Sequence, residues 1–346
     1  MEARFYYATC QFGAEKAVKA EVLAELPSLR FAFSRPGFIT FKEVEPNKKP
    51  LSLKKSIFAR QWGVVLGQVK EPGGMRGLLE QIPDQAFVHA FDRDLHVPGD
   101  EPDDFVQHSH IHGILKSFGL DLDMVTDQST KGETVFDLIW IDEAHVFLGC
   151  HVHGDRDCGY PGNIPLIDLP AKSPSRAYLK IEEAILRFQP KMKKGMNVLE
   201  VGCSPGGATT ALSLRGFNVT GVDPKFMAKE VYKLPGFQFI QKCARDVIQP
   251  DLKSVNPDWL VMDMNIAPLE ALDELNHIVT LLKKIHGPKL KLTNGFLTIK
   301  LNDWKFASSI PLYLKRLESI GFKGLHPVQL WSNRQEFFIY ASEFKR

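Results

Sequence analysis

Few cysteines, no long apolar run and almost no net charge mark this 346-residue chain. Its five cysteines, Cys10, Cys150, Cys158, Cys203 and Cys243, include no CxxC pair. An odd, scattered set excludes a disulfide framework and a zinc ribbon and fits a reducing compartment with inert thiols. No apolar stretch approaches the roughly 20 residues that span a bilayer. The opening residues MEARFYYATC contain no signal-peptide h-region, so a cytoplasmic location without membrane attachment is expected. Internal repeats and low-complexity tracts are absent. A hydrophobic content of 44% with 24% charged residues excludes a disordered chain, a collagen-like chain and a coiled coil. The length exceeds one ordinary core and implies two or three domains.

The formal net charge of +2 hides a split. Residues 1–60 carry 11 lysines and arginines against 6 aspartates and glutamates, a net +5. Residues 61–170 carry 6 against 19, a net −13, and residues 171–346 carry 26 against 16, a net +10. Asymmetry of this size directs the basic parts toward an anionic partner. Random scatter of solvated charge is the competing explanation.

The first 170 residues read as α+β. Arg4–Cys10, Gly37–Phe41, Ser56–Val69, Thr134–Trp140 and Ala144–Val152 are strand-like, the last two as a pair. Ala14–Leu26 and Asp104–Phe118 have helical spacing. Residues 158–174 hold Pro161, Pro165, Pro170 and Pro174, and 161–174 reads as a stiff linker. From residue 175 the rhythm changes. A helix over Ser175–Phe188, with Ser175 as its cap, precedes short apolar runs at Asn197–Val201, Phe217–Val222, Gln238–Ile240, Trp259–Met262, Gly295–Ile299 and Glu336–Tyr340. Strands alternating with helices indicate a doubly wound parallel sheet, an α/β Rossmann-like domain over 175–346.

The run Asn197-Val-Leu-Glu-Val-Gly-Cys-Ser-Pro-Gly-Gly-Ala-Thr210 sets a glycine-rich turn between a strand and a helix. Ser204, Pro205, Gly206 and Gly207 form the candidate ligand loop: glycines admit close approach, and the helix starting near Ala208 offers free N–H groups to an anion. Asp223 closes the next strand, where a carboxylate holds ribose hydroxyls. Asp246 follows the third, placed to accept from an exocyclic amine. The spacing departs from G-x-G-x-x-G, against a nicotinamide dehydrogenase. A tight turn without a ligand is the alternative.

Glu200-Val-Gly-Cys-Ser-Pro-Gly-Gly207 resembles the S-adenosylmethionine loop of the FtsJ-like ribose 2′-O-methyltransferases. Candidates for that family's Lys–Asp–Lys–Glu tetrad occur in order: Lys180, Asp263, Lys300 and Glu336. The segment Pro174-Ser-Arg-Ala-Tyr-Leu-Lys-Ile-Glu-Glu183 is similar to the bacterial branch that modifies a cytidine of large-subunit ribosomal RNA. The likeness is strong from about Ile164 to Ala341. Toward the N-terminus it is weaker, and there it implies a ferredoxin-like α+β module over 1–60 and a THUMP-like RNA-docking region over 61–160. Ala208 stands where the family has tryptophan, and Glu200 where it has aspartate.

The resemblance implies S-adenosylmethionine as cofactor and RNA as partner, and no metal is expected. It leaves the oligomeric state open, a monomer being compatible. It also implies Lys300 as general base. Lys180 would orient the hydroxyl and help keep Lys300 neutral, Asp263 would position Lys300 and contact the methionine amine, and Glu336 would hold a lysine from the far side. A ribose hydroxyl is a weak nucleophile that must lose its proton and be aligned for in-line displacement. A lysine serves as base only where desolvation or a neighbouring cation favours its neutral form. Singly, each of these residues reads more readily as a solvated charge or a cap at a strand end.

Other features carry less. His108, His110, His112, His145, His151 and His153 alternate as metal ligands can, but without the partners of a zinc motif. Cys203 reads as a packing residue. Trp304 and Trp331 suit base stacking or core packing alike. Lys191, Lys193, Lys194 and Lys283, Lys284, Lys289, Lys291 are candidate phosphate contacts or ordinary helix ends. Two rival functions stand. A base N-methyltransferase expects an Asn/Asp-Pro-Pro-aromatic motif where this chain has Asp263-Met-Asn-Ile-Ala-Pro268. A non-catalytic RNA-binding or assembly factor would not need the tetrad. RNA contact is expected from residues 1–60 and the catalytic face, with the acidic segment turned away.

Overall fold

The computed structural model describes residues 3–71, 74–94, 128–155 and 157–345. The expected helix over 104–118 and His108, His110 and His112 lie outside them. The chain forms two units, Met1–Leu166 and Ile167–Arg346.

The N-terminal unit holds a seven-stranded sheet. Its strands are β1 (Phe5–Cys10), β2 (Leu29–Arg35), β3 (Phe38–Glu43), β4 (Ala59–Val69), β5 (Phe87–Asp92), β6 (Thr134–Trp140) and β7 (Val146–Val152), in the order β2-β3-β1-β4-β7-β6-β5. All neighbours are antiparallel except β5 and β6. Helix α1 (Glu15–Glu25) buries Val18 and Val22, four residues apart on one face; α2 (Met75–Leu79) buries Met75 and Leu78. Tyr7, Phe38, Leu138, Trp140 and Phe147 share one core cluster. A border at 60/61 falls inside β4, which pairs with both β1 and β7, so both expected N-terminal modules contribute to one sheet. The start of the expected linker also belongs to this unit. Pro161, Gly162 and Asn163 are buried, and Asn163 Nδ2 donates to the Arg60 carbonyl at 2.6 Å.

The C-terminal unit holds β8 (Asn197–Val201), β9 (Asn218–Val222), β10 (Phe237–Ile240), β11 (Trp259–Asp263), β12 (Asn294–Lys300), β13 (Phe322–Val328) and β14 (Glu336–Phe344), in the order β10-β9-β8-β11-β12-β14-β13. The first five are parallel. β14 runs antiparallel between β12 and β13. Helices α3 (Ala177–Phe188), α4 (Gly207–Leu214), α5 (Pro268–His286) and α6 (Ile310–Ile320) complete the layers. Helix α3 buries Leu179, Ile181 and Ala184, β8 is buried from Val198 to Val201 and β9 buries Val219 and Val222, and Trp259, Phe296 and Phe338 join them in one cluster. That near-continuous burial is what a parallel sheet covered on both faces requires. The strand order reverses between β8 and β11, and a ligand crevice forms outside the carboxyl ends of strands at such a point.

Ser175 is not the cap of α3. The capping position is Arg176, with helical backbone angles and no side-chain cap, and the Ser175 hydroxyl is buried without a hydrogen bond. It packs instead against the glycine loop: a Cβ at Gly207 would lie 2.5 Å from the Ser175 carbonyl oxygen.

Candidate active site

Four of the residues singled out by sequence converge at the switch point. Lys180 reaches from α3, Asp263 ends β11, Lys300 ends β12 and Glu336 begins β14. Because β14 is antiparallel, its first residue meets the last residue of β12: Lys300 and Glu336 are direct register partners. Lys180 Nζ lies 2.8 Å from Asp263 Oδ2 and 2.5 Å from Glu336 Oε1. Lys300 Nζ lies 3.1 Å from Asp263 Oδ1 and pairs also with Glu336 Oε2. Two ammonium groups and two carboxylates thus alternate in a closed ring.

Burial decides how strongly the ring members affect one another. The Glu336 side chain is 2% exposed, Lys180 11%, Asp263 15% and Lys300 20%. Burial alone would raise the Glu336 carboxyl, but Lys180 and Lys300 more than offset it and hold it at about 2. Burial alone would lower the Lys180 ammonium, yet Asp263 and Glu336 lift it well above its ordinary value. Lys180 is therefore a fixed cation. Lys300 is the more exposed lysine, at the open side of the ring.

A second set of groups fixes the turn before β14. Glu183, one helical turn beyond Lys180 on α3, is 1% exposed. Its carboxylate accepts from the Trp331 N–H at 2.8 Å, the Ser332 N–H at 3.0 Å and the Ser332 hydroxyl at 2.8 Å. Asn333 Nδ2 donates to Glu336 Oε1 at 3.0 Å, and Asn333 Oδ1 accepts from the Leu330 N–H. The helix that supplies Lys180 thereby also holds the turn that delivers Glu336. Sequence reasoning missed Glu183 and Asn333, although Glu183 lies three residues from Lys180, on its helix face.

The glycine loop sits against this ring. Gly202 has φ +82°, and a Cβ there would come within 2.6 Å of the Asp263 carbonyl oxygen, so the turn after β8 presses on the end of β11. Gly206 has φ +115°, and a Cβ there would lie 2.5 Å from Val231 Cγ2. Protein neighbours already require glycine at 206 and 207. Asp223 ties the loop to the end of β9, accepting from the Ser204 N–H at 3.0 Å and the Lys225 N–H at 2.8 Å. Ser204 Oγ donates to the Phe226 carbonyl at 2.8 Å, and the Pro205 carbonyl accepts from the Ala228 N–H. Asp246 is exposed in the turn after β10 and bonds with none of the others. Beneath the loop, Glu200 Oε2 accepts from Thr209 Oγ1 at 2.6 Å, and burial pushes its carboxyl up to about 8.

These residues fit a nucleoside cofactor with an amino-acid tail. Each Asp223 oxygen takes one loop N–H and keeps a lone pair for a hydroxyl. The opening N–H groups of α4 have no partner within their own helix. Asp263 borders the loop and carries charge for an amine.

The remaining candidates fall elsewhere. Cys203 is buried beside Met227, and burial raises its thiol far above the ordinary range, which suits packing and not nucleophilic work. Lys283 donates to the Ile320 carbonyl at 2.9 Å and lies over the Phe344 ring, so it is engaged in helix packing. Lys191, Lys193, Lys194, Lys284, Lys289 and Lys291 are exposed, and Trp304 and Trp331 are half-buried. His145 pairs with Gln68, His151 with Asp137 and His153 with Ser129. Among the described residues no group of three or more His, Cys, Asp or Glu is disposed to hold a metal ion, and no helix is long and apolar enough to cross a membrane.

Comparison with known proteins places the chain among methyltransferases by similarity. Residues 174–315 match the model of the FtsJ-like methyltransferase family. The ribosomal RNA large subunit methyltransferase M of Aeromonas hydrophila is 27% identical over 278 residues, 74% of this chain and 74% of that protein. Its namesake in Halorhodospira halophila is 28% identical over 207 residues, 59% of this chain and 56% of that one. That of Psychromonas ingrahamii is 30% identical over 154 residues, covering 40% and 39%.

Proposed function

We propose, from the match of residues 174–315 to the FtsJ-like methyltransferase family, that this chain is an RNA methyltransferase acting on the 2′-hydroxyl of a ribose. Its substrate is large-subunit ribosomal RNA, at a cytidine. The observation that carries the reading is the closed ring of Lys180, Asp263, Lys300 and Glu336 beside the glycine loop. The methyl donor is S-adenosylmethionine, which supplies an activated methyl group on a sulfonium. The 204–207 loop and Asp263 would hold its methionine end, Asp223 its ribose and Asp246 its adenine amine.

The ring's two lysines divide the work on the hydroxyl. Lys180, held charged by two carboxylates, donates to the hydroxyl oxygen and orients it. Lys300 Nζ, in its neutral form, takes the hydroxyl proton as the oxygen turns nucleophilic. Asp263 and Glu336 fix both amines, so little reorganisation remains at the moment of reaction. The basic first 60 residues of the N-terminal unit and the basic surface of the C-terminal unit meet the phosphates of the RNA.

The test is methyl transfer to large-subunit ribosomal RNA lacking the modification, with the product located by mass spectrometry. Lys300→Ala should lower transfer at least about 100-fold, the scale of a lost general base, while S-adenosylmethionine affinity by calorimetry stays unchanged. Retained transfer removes Lys300 from the base role. A methyl on the base instead of the sugar refutes ribose chemistry, and wild-type protein inactive on every such RNA refutes the enzyme.

A further inference from the structure

The mechanism leaves unused a buried polar chain in the N-terminal unit. Asp137, on β6, is fully buried. Its Oδ2 accepts from the Tyr7 hydroxyl at 2.5 Å and meets His151 Nδ1 at 2.5 Å. Tyr7 lies on β1, separated from β6 by β4 and β7 in the sheet, and its ring reaches Asp137 because the intervening positions on those two strands, Gly63 and Gly149, are glycines. A Cβ at Gly63 would lie 2.6 Å from Tyr7 Cε1, and one at Gly149 would lie 2.8 Å from Tyr7 Cδ1. Two glycines within central strands weaken a sheet, so this arrangement is built at a cost.

The chain of groups ends at a cavity. His151, its side chain 4% exposed, lines a space of about 840 Å³ together with Lys49, Lys54, Trp62, Asp155 and Asp157. Nδ1 is taken by Asp137, and Nε2 makes no hydrogen bond among the described residues. Nε2 is therefore the polar atom this buried imidazole offers to the cavity. Burial opposes protonation of His151, but the Asp137 charge and hydrogen bond more than reverse it, so the ring holds its proton more tightly than a free imidazole.

The rest of the lining narrows the ligand. Lys49 and Lys54 add positive charge. Trp62 supplies an aromatic wall, its ring fixed by stacking on Tyr6 at 5.3 Å and by an Nε1 bond to the Leu51 carbonyl. Asp155 is paired with Lys131, and Asp157 accepts from the Gly154 N–H at 2.7 Å; both keep lone pairs for hydroxyl or amine donors. Cations for an anion, an aromatic surface and carboxylates for donors together match a nucleotide, and the volume lies in the range of small-molecule sites. A bare phosphate would use only the first of these features.

We propose that this cavity binds a nucleoside phosphate, with the phosphate on His151 Nε2 and Lys49 and the base and sugar between Trp62 and the carboxylates. The nucleotide is either free or one unpaired residue of an RNA strand. The site lies wholly within the N-terminal unit, so it does not depend on the methyl-transfer reading.

Calorimetry on the full chain tests it, with S-adenosylhomocysteine present to fill the catalytic unit. The probes are cytidine 5′-monophosphate, cytidine, inorganic phosphate and a short single-stranded RNA. The monophosphate should saturate one site, with cytidine and phosphate each at least about tenfold weaker, the scale of a lost charged hydrogen bond. Lys49→Glu and His151→Gln should each weaken it by a similar factor, and Asp223→Ala should leave it unchanged. Lys49 is exposed, so its variant keeps the test valid if His151→Gln fails to fold. RNA binding tighter than the monophosphate, with the same loss in both variants, identifies a strand. Monophosphate binding without RNA binding identifies a free nucleotide. Absence of saturable binding by the monophosphate and by the RNA overturns the proposal, as does affinity unchanged by either variant, or cytidine binding as tightly as its phosphate.

Discussion

Replacing Glu336 by glutamine keeps the shape of the ring and removes one of its two negative charges. In the wild-type protein this carboxyl lies 2.5 Å from Lys180 Nζ, pairs with Lys300 and takes a hydrogen bond from Asn333. Its folded-state value of about 2, against 4.5 for the free group, means the fold favours the ionised form by roughly 3 kcal/mol. Loss of one partner from a buried ion pair carries a similar order of cost, about 3–5 kcal/mol. For a unit of this size, 1 kcal/mol moves the melting temperature by about 2–4 °C, so Glu336→Gln should melt about 6–12 °C lower at neutral pH. The pH dependence follows from the direction of the shift. A lowered carboxyl contributes fully above its unfolded value and loses that contribution as pH falls from about 4.5 toward 2. The gap between wild type and Glu336→Gln should therefore be complete at about pH 6 and should narrow on acidification below about 4.5. Thermal denaturation followed by circular dichroism across that range measures it. A gap of less than about 1 °C at pH 6, or one that persists undiminished at the acid end, would refute the electrostatic account of the ring.

Two further substitutions separate holding the ring from holding the cofactor. Glu183→Ala leaves the N–H groups of Trp331 and Ser332 without their acceptor, at about 1–3 kcal/mol each where water cannot replace it. It should lower both the melting temperature and kcat while leaving S-adenosylmethionine affinity intact; wild-type kcat would show that the turn needs no anchor from α3. Asp223→Ala removes the carboxylate that binds the Ser204 and Lys225 N–H groups and that we propose for the cofactor's ribose. Calorimetry should show S-adenosylmethionine bound at least about tenfold more weakly, and unchanged affinity would exclude Asp223 from the site.

With the exception of the edge strand β10, the strands legible in the sequence were those paired on both sides. Apolar runs at 197–201, 259–262 and 295–299 correspond to β8, β11 and β12, whose neighbours shield them and whose composition must be continuously hydrophobic. The strands absent from the sequence reading, β2, β5 and β13, all lie at sheet edges. β13 shows the reason: Phe322-Lys-Gly-Leu-His-Pro-Val328 contains Gly324 at φ +56° and Pro327. Both read as turn signals, yet an edge strand tolerates them because one side of its backbone needs no ladder partner.

The site divides along the same line between local and distant information. Lys180, Asp263, Lys300 and Glu336 were recognisable from short motifs, and the direction of β14 then explains how the last two come to meet. An antiparallel final strand starts where β12 ends, so the pairing of Lys300 with Glu336 needs no special loop. What local pattern could not convey is which charges are enclosed. Glu183 reads as half of a Glu-Glu pair on a solvated helix face, and only the turn at 331–332, 148 residues away, makes it a buried anchor. The same holds for the two lysines. Nothing in their flanking residues distinguishes them, yet a helix packed over strand ends leaves Lys180 at 11% exposure and Lys300 at 20%, although both pair with the same two carboxylates. The two carboxylates that this packing brings to Lys180 are the physical basis for its fixed charge.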